Sequence, residues 1–218
     1  MSDQRLNQVW DAVEIVFSIL KGHTVRAAKA GSLRRGKQDP KDAEIVLIPS
    51  PSAWPALDAA LAAGVVKKAD YGGRTRWGEL YRGVEVGGIK VELFTATPAT
   101  WGYIHWLRTG PADGNQYVVG QMWKSKIRAQ GGAIWYAPDW KMSVRLEWKI
   151  PNRQQVRVAE ESDFFGLLGM ENVFPQDRRK EVYERAFDSR SHRWGDPLSL
   201  LMPTATETAD QPSQLSLF

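Results

Sequence analysis

Apolar residues recur every three or four positions along Leu6–Leu20, and this spacing predicts an amphipathic helix. Gly22 follows closely and is a typical helix stop. An alanine-rich run over Ala56–Val66 predicts a second, shorter helix, and the pattern over Gln116–Arg128 predicts a third. Each helix needs a partner surface on which to bury its apolar side.

Strands are predicted between and after these helices. Thr24–Ala28 and Glu44–Ile48 come first, and the second of them is so apolar that we expect it to be buried. Tyr103–Leu107 is predicted to be a further short strand, and the strict alternation of apolar and polar residues over Met142–Ile150 predicts another. Helices that alternate with strands in this way indicate an α/β fold.

A β-hairpin is predicted in the middle of the chain. Trp77–Val86 and Ile89–Thr95 flank the pair Gly87-Gly88, which suits a two-residue turn. The second strand alternates, with Ile89, Val91 and Leu93 on one face and Lys90, Glu92 and Phe94 on the other. This glutamate is either an edge residue or a site residue, and the local pattern alone favours the edge.

The segment after the first strand has the composition of an anion-binding turn. Gly31-Ser32 opens a short turn or helix whose free backbone N–H groups can face an anion. Arg34 and Arg35 add fixed positive charge, and guanidinium groups suit phosphate oxygens. The segment therefore predicts contacts with phosphate.

Two acidic residues stand at the start of the next strand. Asp42 and Glu44 are two positions apart, so strand periodicity places their side chains on one face. They are either ordinary polar residues or metal ligands, since carboxylate oxygens are what magnesium prefers. The neighbouring phosphate-binding turn favours metal-assisted chemistry on a nucleotide.

Composition excludes several classes of chemistry. The 218-residue chain has no cysteine, which rules out disulfides, zinc–thiolate sites and thiol catalysis. No apolar run reaches the ~18 residues needed to span a bilayer, and the first residues do not resemble a signal peptide. We therefore expect a cytoplasmic protein without a membrane partner.

Positive charge is concentrated in one stretch of the chain. The net charge is +4, yet residues 121–158 alone hold eight basic and two acidic residues. The stretch is either a solvated face or a surface for nucleic acid. Lys124, Lys126 and Arg128 are the candidate DNA-binding residues.

The run Gly31–Lys37, followed by acid-x-acid and an apolar strand, resembles the palm of the family X DNA polymerases, the DNA polymerase beta group. Lys90–Leu93 matches the context of that family's third carboxylate, so the resemblance favours Glu92 as a site residue. Thr109-Gly110 and Glu160–Gly169 resemble later motifs of the palm and thumb. The resemblance covers about Leu6 to Arg178.

The resemblance implies a nucleotidyltransferase palm with a mixed sheet and flanking helices over residues 1–112. A small α+β thumb would follow over 113–196, and a flexible tail over 197–218. Two Mg²⁺ ions, or Mn²⁺ in their place, would be held by the catalytic carboxylates Asp42, Glu44 and Glu92. The nucleotide would be bound by Gly31, Ser32, Arg35, Thr109, Gly110 and Asn115.

The chain departs from the family pattern at several positions. Glutamates stand at two of the three carboxylate positions where the family usually has aspartates. Leu107 and Arg108 replace an aromatic pair that screens the sugar, and Pro111 replaces a serine. The residues match palm and thumb only, with no counterpart of the family's lyase domain or fingers.

The last five residues match a bacterial sliding-clamp-binding motif at every position. The residues predicted to contact the clamp are Gln214, Leu215, Leu217 and Phe218. A polar linker over Pro203–Ser213 would give the motif reach, whereas the alternative is an apolar tail folded back on the thumb. A clamp partner places the protein in a bacterial or phage-infected cytoplasm.

The sequence thus predicts a monomeric DNA polymerase of the family X type that adds nucleotides to a DNA 3′-hydroxyl in repair or gap filling. Its partners would be primer-template DNA, a nucleoside triphosphate and the sliding clamp. A template-independent transferase that tails DNA or RNA is one alternative. The other is a catalytically inactive module that binds the clamp and DNA.

Overall fold

The computed structural model describes residues 2–139 and 152–202 of the chain. Its larger sheet consists of β1 (Thr24–Ala30), β2 (Ala43–Pro49), β3 (Lys67–Lys68), β4 (Tyr81–Val86) and β5 (Ile89–Thr95). The order across the sheet is β1-β2-β5-β4-β3. The β2–β5 pair is parallel and the other neighbouring pairs are antiparallel, so the sheet is mixed.

Helices α1 (Ser2–Leu20) and α3 (Ala53–Ala62) cover one face of this sheet, and the single turn α2 (Gly31–Arg34) links β1 to β2. The buried cluster on this face joins Val13 of α1 and Leu57 of α3 to Ile45 of β2 and Leu93 of β5. The predicted first helix, first two strands and glycine turn are confirmed.

The opposite face carries helices and a second, three-stranded sheet: α4 (Trp101–Thr109), α5 (Ala112–Met122), β6 (Ile127–Gln130), β7 (Ala133–Tyr136), β8 (Gln154–Val156), α6 (Glu161–Leu167) and α7 (Lys180–Phe187). A buried cluster runs from Val46 and Phe94 of the larger sheet through Trp106 of α4 to Ile134 of β7 and Phe164 of α6. Residues of both predicted segments, palm and thumb, therefore contribute to this second cluster.

The predicted strand over Tyr103–Leu107 is wrong, because these residues lie in α4. Residues Trp101 to Trp106 are all buried, so the helix has no polar side in this part and its apolar run reads like a strand. The hydroxyl of Thr109 donates to the carbonyl of His105, one helical turn earlier, at 2.7 Å. Because α4 is buried between the sheet and α6, its apolar residues do not recur every three or four positions.

The predicted helix over Gln116–Arg128 is also wrong in its second half. The helix ends at Met122, and Ile127 and Arg128 belong to β6. Ser125 forms the turn between them, since its hydroxyl donates to Met122 O at 2.9 Å and accepts from Ile127 N at 3.1 Å. A serine that bonds the backbone in this way ends a helix that apolar spacing alone would continue.

Smaller boundaries also shift. The helix predicted over Ala56–Val66 begins and ends several residues earlier, as α3, and the first hairpin strand begins at Tyr81 rather than Trp77. The flexible tail predicted from residue 197 begins too early, because Arg157 N–H donates to Leu200 O at 2.6 Å and Met202 N–H donates to Gln155 O at 2.8 Å.

Two predicted features lie outside the described residues: the strand over Met142–Ile150 and the clamp-binding motif at residues 214–218. Within residues 2–139 and 152–202, the helices are too short or too polar to cross a bilayer.

Candidate active site

Two glutamates are neighbours at the centre of the site because β2 and β5 run side by side in parallel. Glu44 of β2 is the register partner of Glu92 of β5. Both lie on the face covered by α4, since the alternate positions Ile45 and Leu93 belong to the cluster under α1. Asp42 precedes β2 by one residue and is exposed. The fold thus brings the three predicted carboxylates into one region.

The closeness of these carboxylates is evident in the ionisation of Glu44. Burial, and then the negative charges of Glu92 and Asp42, raise the pKa of Glu44 to about 7, while the charges of Arg108 and Arg35 lower it. An acidic group perturbed by like charges is stabilised in its ionised form by a nearby cation. Positive charge bound at this site would therefore stabilise the ionised carboxylates.

The carboxylates of Asp42, Glu44 and Glu92 fit a hard divalent cation by their chemistry. Within residues 2–139 and 152–202, no group of three or more His, Cys, Asp or Glu side chains is arranged to hold a metal. Glu92 Oε1 accepts a hydrogen bond from the Tyr81 hydroxyl at 2.5 Å. Metal ligation by Asp42, Glu44 and Glu92 stays a prediction.

The glycine of the predicted phosphate-binding turn lies directly against the acidic residues. A Cβ atom at Gly31 would come within 2.0 Å of Glu44 Oε2, and the φ angle of Gly31 is +62°. The positive φ favours glycine, because other residues are strained there, and a Cβ atom would also displace the Glu44 carboxylate. Ser32 is half-buried beside it, and its carbonyl accepts from Lys37 N at 3.0 Å, which closes the turn.

Arg35 connects this turn to the end of α4. Its Nη1 donates to the carbonyl oxygen of Thr109, and a Cβ atom at Gly110 would lie 3.1 Å from the same nitrogen. Gly110 has a φ of +67°, and the Gly110–Pro111 peptide bond is cis. Three predicted nucleotide-binding residues therefore meet at one place, with the Arg35 guanidinium between the turn and the helix end.

The predicted role of the Thr109 side chain is not supported by its position. Thr109 is 0% exposed. Its hydroxyl donates to His105 O and accepts from Arg34 Nη1 at 2.7 Å. The hydroxyl is thus engaged inside the protein, and Thr109 acts through its backbone, whose carbonyl anchors Arg35.

Asn115 sits in the first turns of α5, where its amide nitrogen donates to Leu107 O at 2.6 Å. Its Oδ1 is buried and has no hydrogen-bond partner in the described part of the chain. Buried acceptors are normally paired, so an orphaned one is a functional candidate. This observation keeps Asn115 as a candidate binding residue.

A buried ion-pair network joins the turn to α6. Glu161 accepts from Arg34 at 2.5 and 2.8 Å and from Arg178 at 3.1 and 2.8 Å. Burial raises the pKa of Glu161, but the hydrogen bonds and charges of Arg34 and Arg178 outweigh it and hold the pKa at about 2. The network fixes α2, and with it Gly31 and Arg35, against the rest of the fold.

A cavity of about 910 Å³ lies between the end of β5 in the larger sheet and the β6–β7 hairpin, and none of the three carboxylates lines it. Phe94, Arg108, Trp135 and Arg157 are among its lining residues. The Arg108 guanidinium lies 3.8 Å from the centre of the Phe94 ring. Aromatic rings and guanidinium groups in one cavity suit bases and phosphates.

The predicted DNA-binding residues do not all reach the surface. Lys124 and Lys126 are exposed in the turn before β6. Arg128 is 4% exposed, and its Nη1 donates to the carbonyls of Met122, Ser125 and Ile127 at 2.5 to 2.7 Å. Arg128 is therefore a structural residue of this turn, and its assignment as a DNA contact is corrected.

Scans against models of protein families and against the curated proteins find no match to this chain.

Sequence reasoning missed the tyrosine that bonds Glu92, the arginine over Phe94 and the glutamate that pairs two arginines. Tyr81, Arg108 and Glu161 are separated from their partners by 11 or more positions in sequence. Only the pairing of β4 with β5 could have indicated Tyr81, since it lies two positions from Gly83, the register partner of Glu92. The other two contacts depend on helix packing, which no local pattern reveals.

Proposed function

We propose that this protein transfers a nucleotidyl group from a nucleoside triphosphate to the 3′-hydroxyl of DNA, as a polymerase of the family X type. The adjacency of Glu44, Glu92 and the Gly31 turn carries the proposal. It combines a carboxylate pair on neighbouring parallel strands with a glycine turn and Arg35 at its side. The resemblance in sequence supports the same reading.

Each part of the site would have a distinct role. Gly31 and Ser32 would approach the triphosphate through their backbone, and Arg35 would neutralise its outer oxygens. Asn115 Oδ1, which is buried without a partner among the described residues, would contact the nucleotide from the α5 side. Acceleration would come from positioning and charge neutralisation, with no side chain as nucleophile.

The carboxylates Asp42, Glu44 and Glu92 would hold divalent cations, Mg²⁺ or Mn²⁺. When bound, these ions supply charge stabilisation and lower the pKa of the attacking hydroxyl. The pKa of Glu44 is raised by burial first and then by the charges of Glu92 and Asp42, and bound cations would balance those charges.

The partners follow from the same proposal. Lys124 and Lys126 would contact the DNA backbone, and the residues from Gln214 to Phe218 would bind a bacterial sliding clamp. Tethering to the clamp would raise the effective concentration of DNA at the site. The working location would be a bacterial or phage-infected cytoplasm, with roles in repair or gap filling.

A template-independent transferase that tails DNA or RNA would use the same carboxylates and turn. The test is extension of a labelled primer by the full-length chain, as a single strand and in a gapped duplex, with each nucleotide and with Mg²⁺ and then Mn²⁺. Template-directed extension of the gapped duplex supports the proposal. Untemplated extension of the single strand, as efficient as that of the gapped duplex, supports a template-independent transferase. No incorporation with either ion supports an inactive clamp- and DNA-binding module.

A further inference from the structure

Glu92 is held by a pair of hydrogen-bonded tyrosines. The Tyr81 hydroxyl lies 2.5 Å from Glu92 Oε1 and 2.7 Å from the Tyr71 hydroxyl. Tyr81 stands on β4, whereas Tyr71 belongs to the turn that follows β3. The Tyr81 hydroxyl therefore links the Glu92 carboxylate on β5 to the Tyr71 hydroxyl.

The sheet makes room for this pair at one glycine. Gly83 of β4 is the register partner of Glu92, so a side chain at Gly83 would stand beside the carboxylate. A Cβ atom there would come within 2.5 Å of the Tyr71 hydroxyl oxygen and 2.8 Å of its ring. Tyr71 thus occupies the space that an ordinary cross-strand side chain would fill.

Two cations hold the tyrosine rings from outside. The Arg76 guanidinium lies 4.9 Å from the centre of the Tyr71 ring and 5.7 Å from that of Tyr81. The Lys90 ammonium lies 4.8 Å from the centre of the Tyr71 ring and donates to Asp70 O. Cation–π contacts of this length attract the cations to the rings and so help to fix the ring that carries the hydroxyl at Glu92.

A glutamate has one more rotatable bond than an aspartate, and it loses more conformational freedom when it is fixed at a site. A hydrogen bond to one carboxylate oxygen removes that freedom before a ligand arrives, and partners of this kind are known to tune metal affinity. We propose that Tyr81 is a positioning residue that fixes Glu92 through Oε1 and leaves Oε2 for a divalent cation, with Tyr71 supporting Tyr81. This inference rests on the proposed function.

The test is a titration of the full-length chain with Mn²⁺. The signal of the free ion in electron paramagnetic resonance measures how much Mn²⁺ is bound. Tyr81→Phe keeps the ring and removes only the hydroxyl, and it is expected to weaken the Glu92-dependent Mn²⁺ site about 10- to 100-fold. Tyr71→Phe is expected to weaken it less. Tyr136→Phe, on β7 in the second sheet, is the matched control and is expected to bind Mn²⁺ like the wild type.

Two further measurements separate positioning from general damage. In a Glu92→Gln background, Tyr81→Phe should cause no additional loss of Mn²⁺ affinity if the tyrosine acts through Glu92 alone. With primed DNA and nucleotide, Tyr81→Phe should raise the Mg²⁺ concentration needed for half-maximal rate, and excess Mg²⁺ should restore much of that rate. Melting temperatures are compared for all variants.

The outcomes distinguish this inference from the proposed function. If the wild type binds Mn²⁺ and Tyr81→Phe binds it with the same affinity, the role of the tyrosine alone is overturned. Wild type that binds Mn²⁺ through Glu92 and Tyr81 but incorporates no nucleotide overturns the polymerase proposal and supports the tyrosine role. Wild type that binds no Mn²⁺ overturns both. If Tyr81→Phe does not fold, the comparison of Tyr71→Phe with Tyr136→Phe decides in the same way.

Discussion

Replacing Glu161 by glutamine is expected to destabilise the protein strongly. Glu161 pairs with Arg34 and Arg178, and the side chains of Glu161 and Arg178 are only 16% and 1% exposed. The pKa of Glu161 is about 2, against an ordinary value of 4.5. At 1.36 kcal/mol per pH unit, this difference corresponds to about 3 kcal/mol of stability. Breaking a buried pair and leaving its partners unpaired costs a similar 3–5 kcal/mol.

The stability that Glu161 contributes depends on pH. Because the pKa of Glu161 is lower in the folded than in the unfolded chain, its stabilising effect is complete above about pH 4.5. It is lost as the pH falls from 4.5 towards 2. The gap in unfolding free energy between wild type and Glu161→Gln is therefore expected to be about 3 kcal/mol at pH 7 and to narrow below pH 4.5. Urea denaturation at pH 7, 4 and 3 measures it.

The neighbouring residue supplies a matched control. Glu160 pairs with Arg26 at 2.5 Å, but these side chains are 53% and 43% exposed. Exposed ion pairs contribute about 0–1 kcal/mol, so Glu160→Gln is expected to change the unfolding free energy by less than 1 kcal/mol. A Glu161→Gln loss below 1 kcal/mol at pH 7, or an equal loss for Glu160→Gln, would refute the reasoning.

Three further changes have distinct expected results. Gly31→Ala is expected to abolish nucleotidyl transfer, since its Cβ atom would clash with Glu44. Gly36 also has a positive φ, +75°, but has open space around it, so Gly36→Ala should only lower the unfolding free energy by about 1–2 kcal/mol. Lys124→Glu is expected to weaken DNA binding and reduce its salt dependence, which DNA titrations at two salt concentrations measure. Arg128→Ala should instead lower the melting temperature, which thermal melts measure. Deleting residues 214–218 is expected to abolish binding to an immobilised bacterial clamp without changing primer extension in the absence of the clamp. Reduced extension without the clamp would instead favour a tail that folds back on the thumb.

The local patterns of the chain were enough to predict the elements that frame the site. The apolar run of β2, the glycine turn after β1 and the hairpin about Gly87-Gly88 all have signals within a few residues, and all were confirmed. These elements bring Glu44 beside Glu92 through their register.

Elements whose character depends on distant packing were not predictable in this way. Helix α4 is buried between the sheet and α6, so it lacks the polar face that marks a helix. Arg128 looks like a surface charge in sequence, yet it is buried and its guanidinium bonds three backbone carbonyls. Tyr81 and Glu161 act on partners that only the folded chain brings near.

The most direct test of the central claim is nucleotide incorporation by variants of the acidic residues. The full-length chain is assayed for extension of a primer in gapped DNA with Mg²⁺, as wild type, Asp42→Ala and Glu92→Ala, with Glu14→Ala on the exposed side of α1 as the matched control. Wild type and Glu14→Ala are expected to extend the primer, whereas Asp42→Ala and Glu92→Ala are expected to lose incorporation by about 100-fold or more while still binding DNA. Glu92→Ala with the wild-type rate, or wild type that extends no primer with either Mg²⁺ or Mn²⁺, would contradict the central claim.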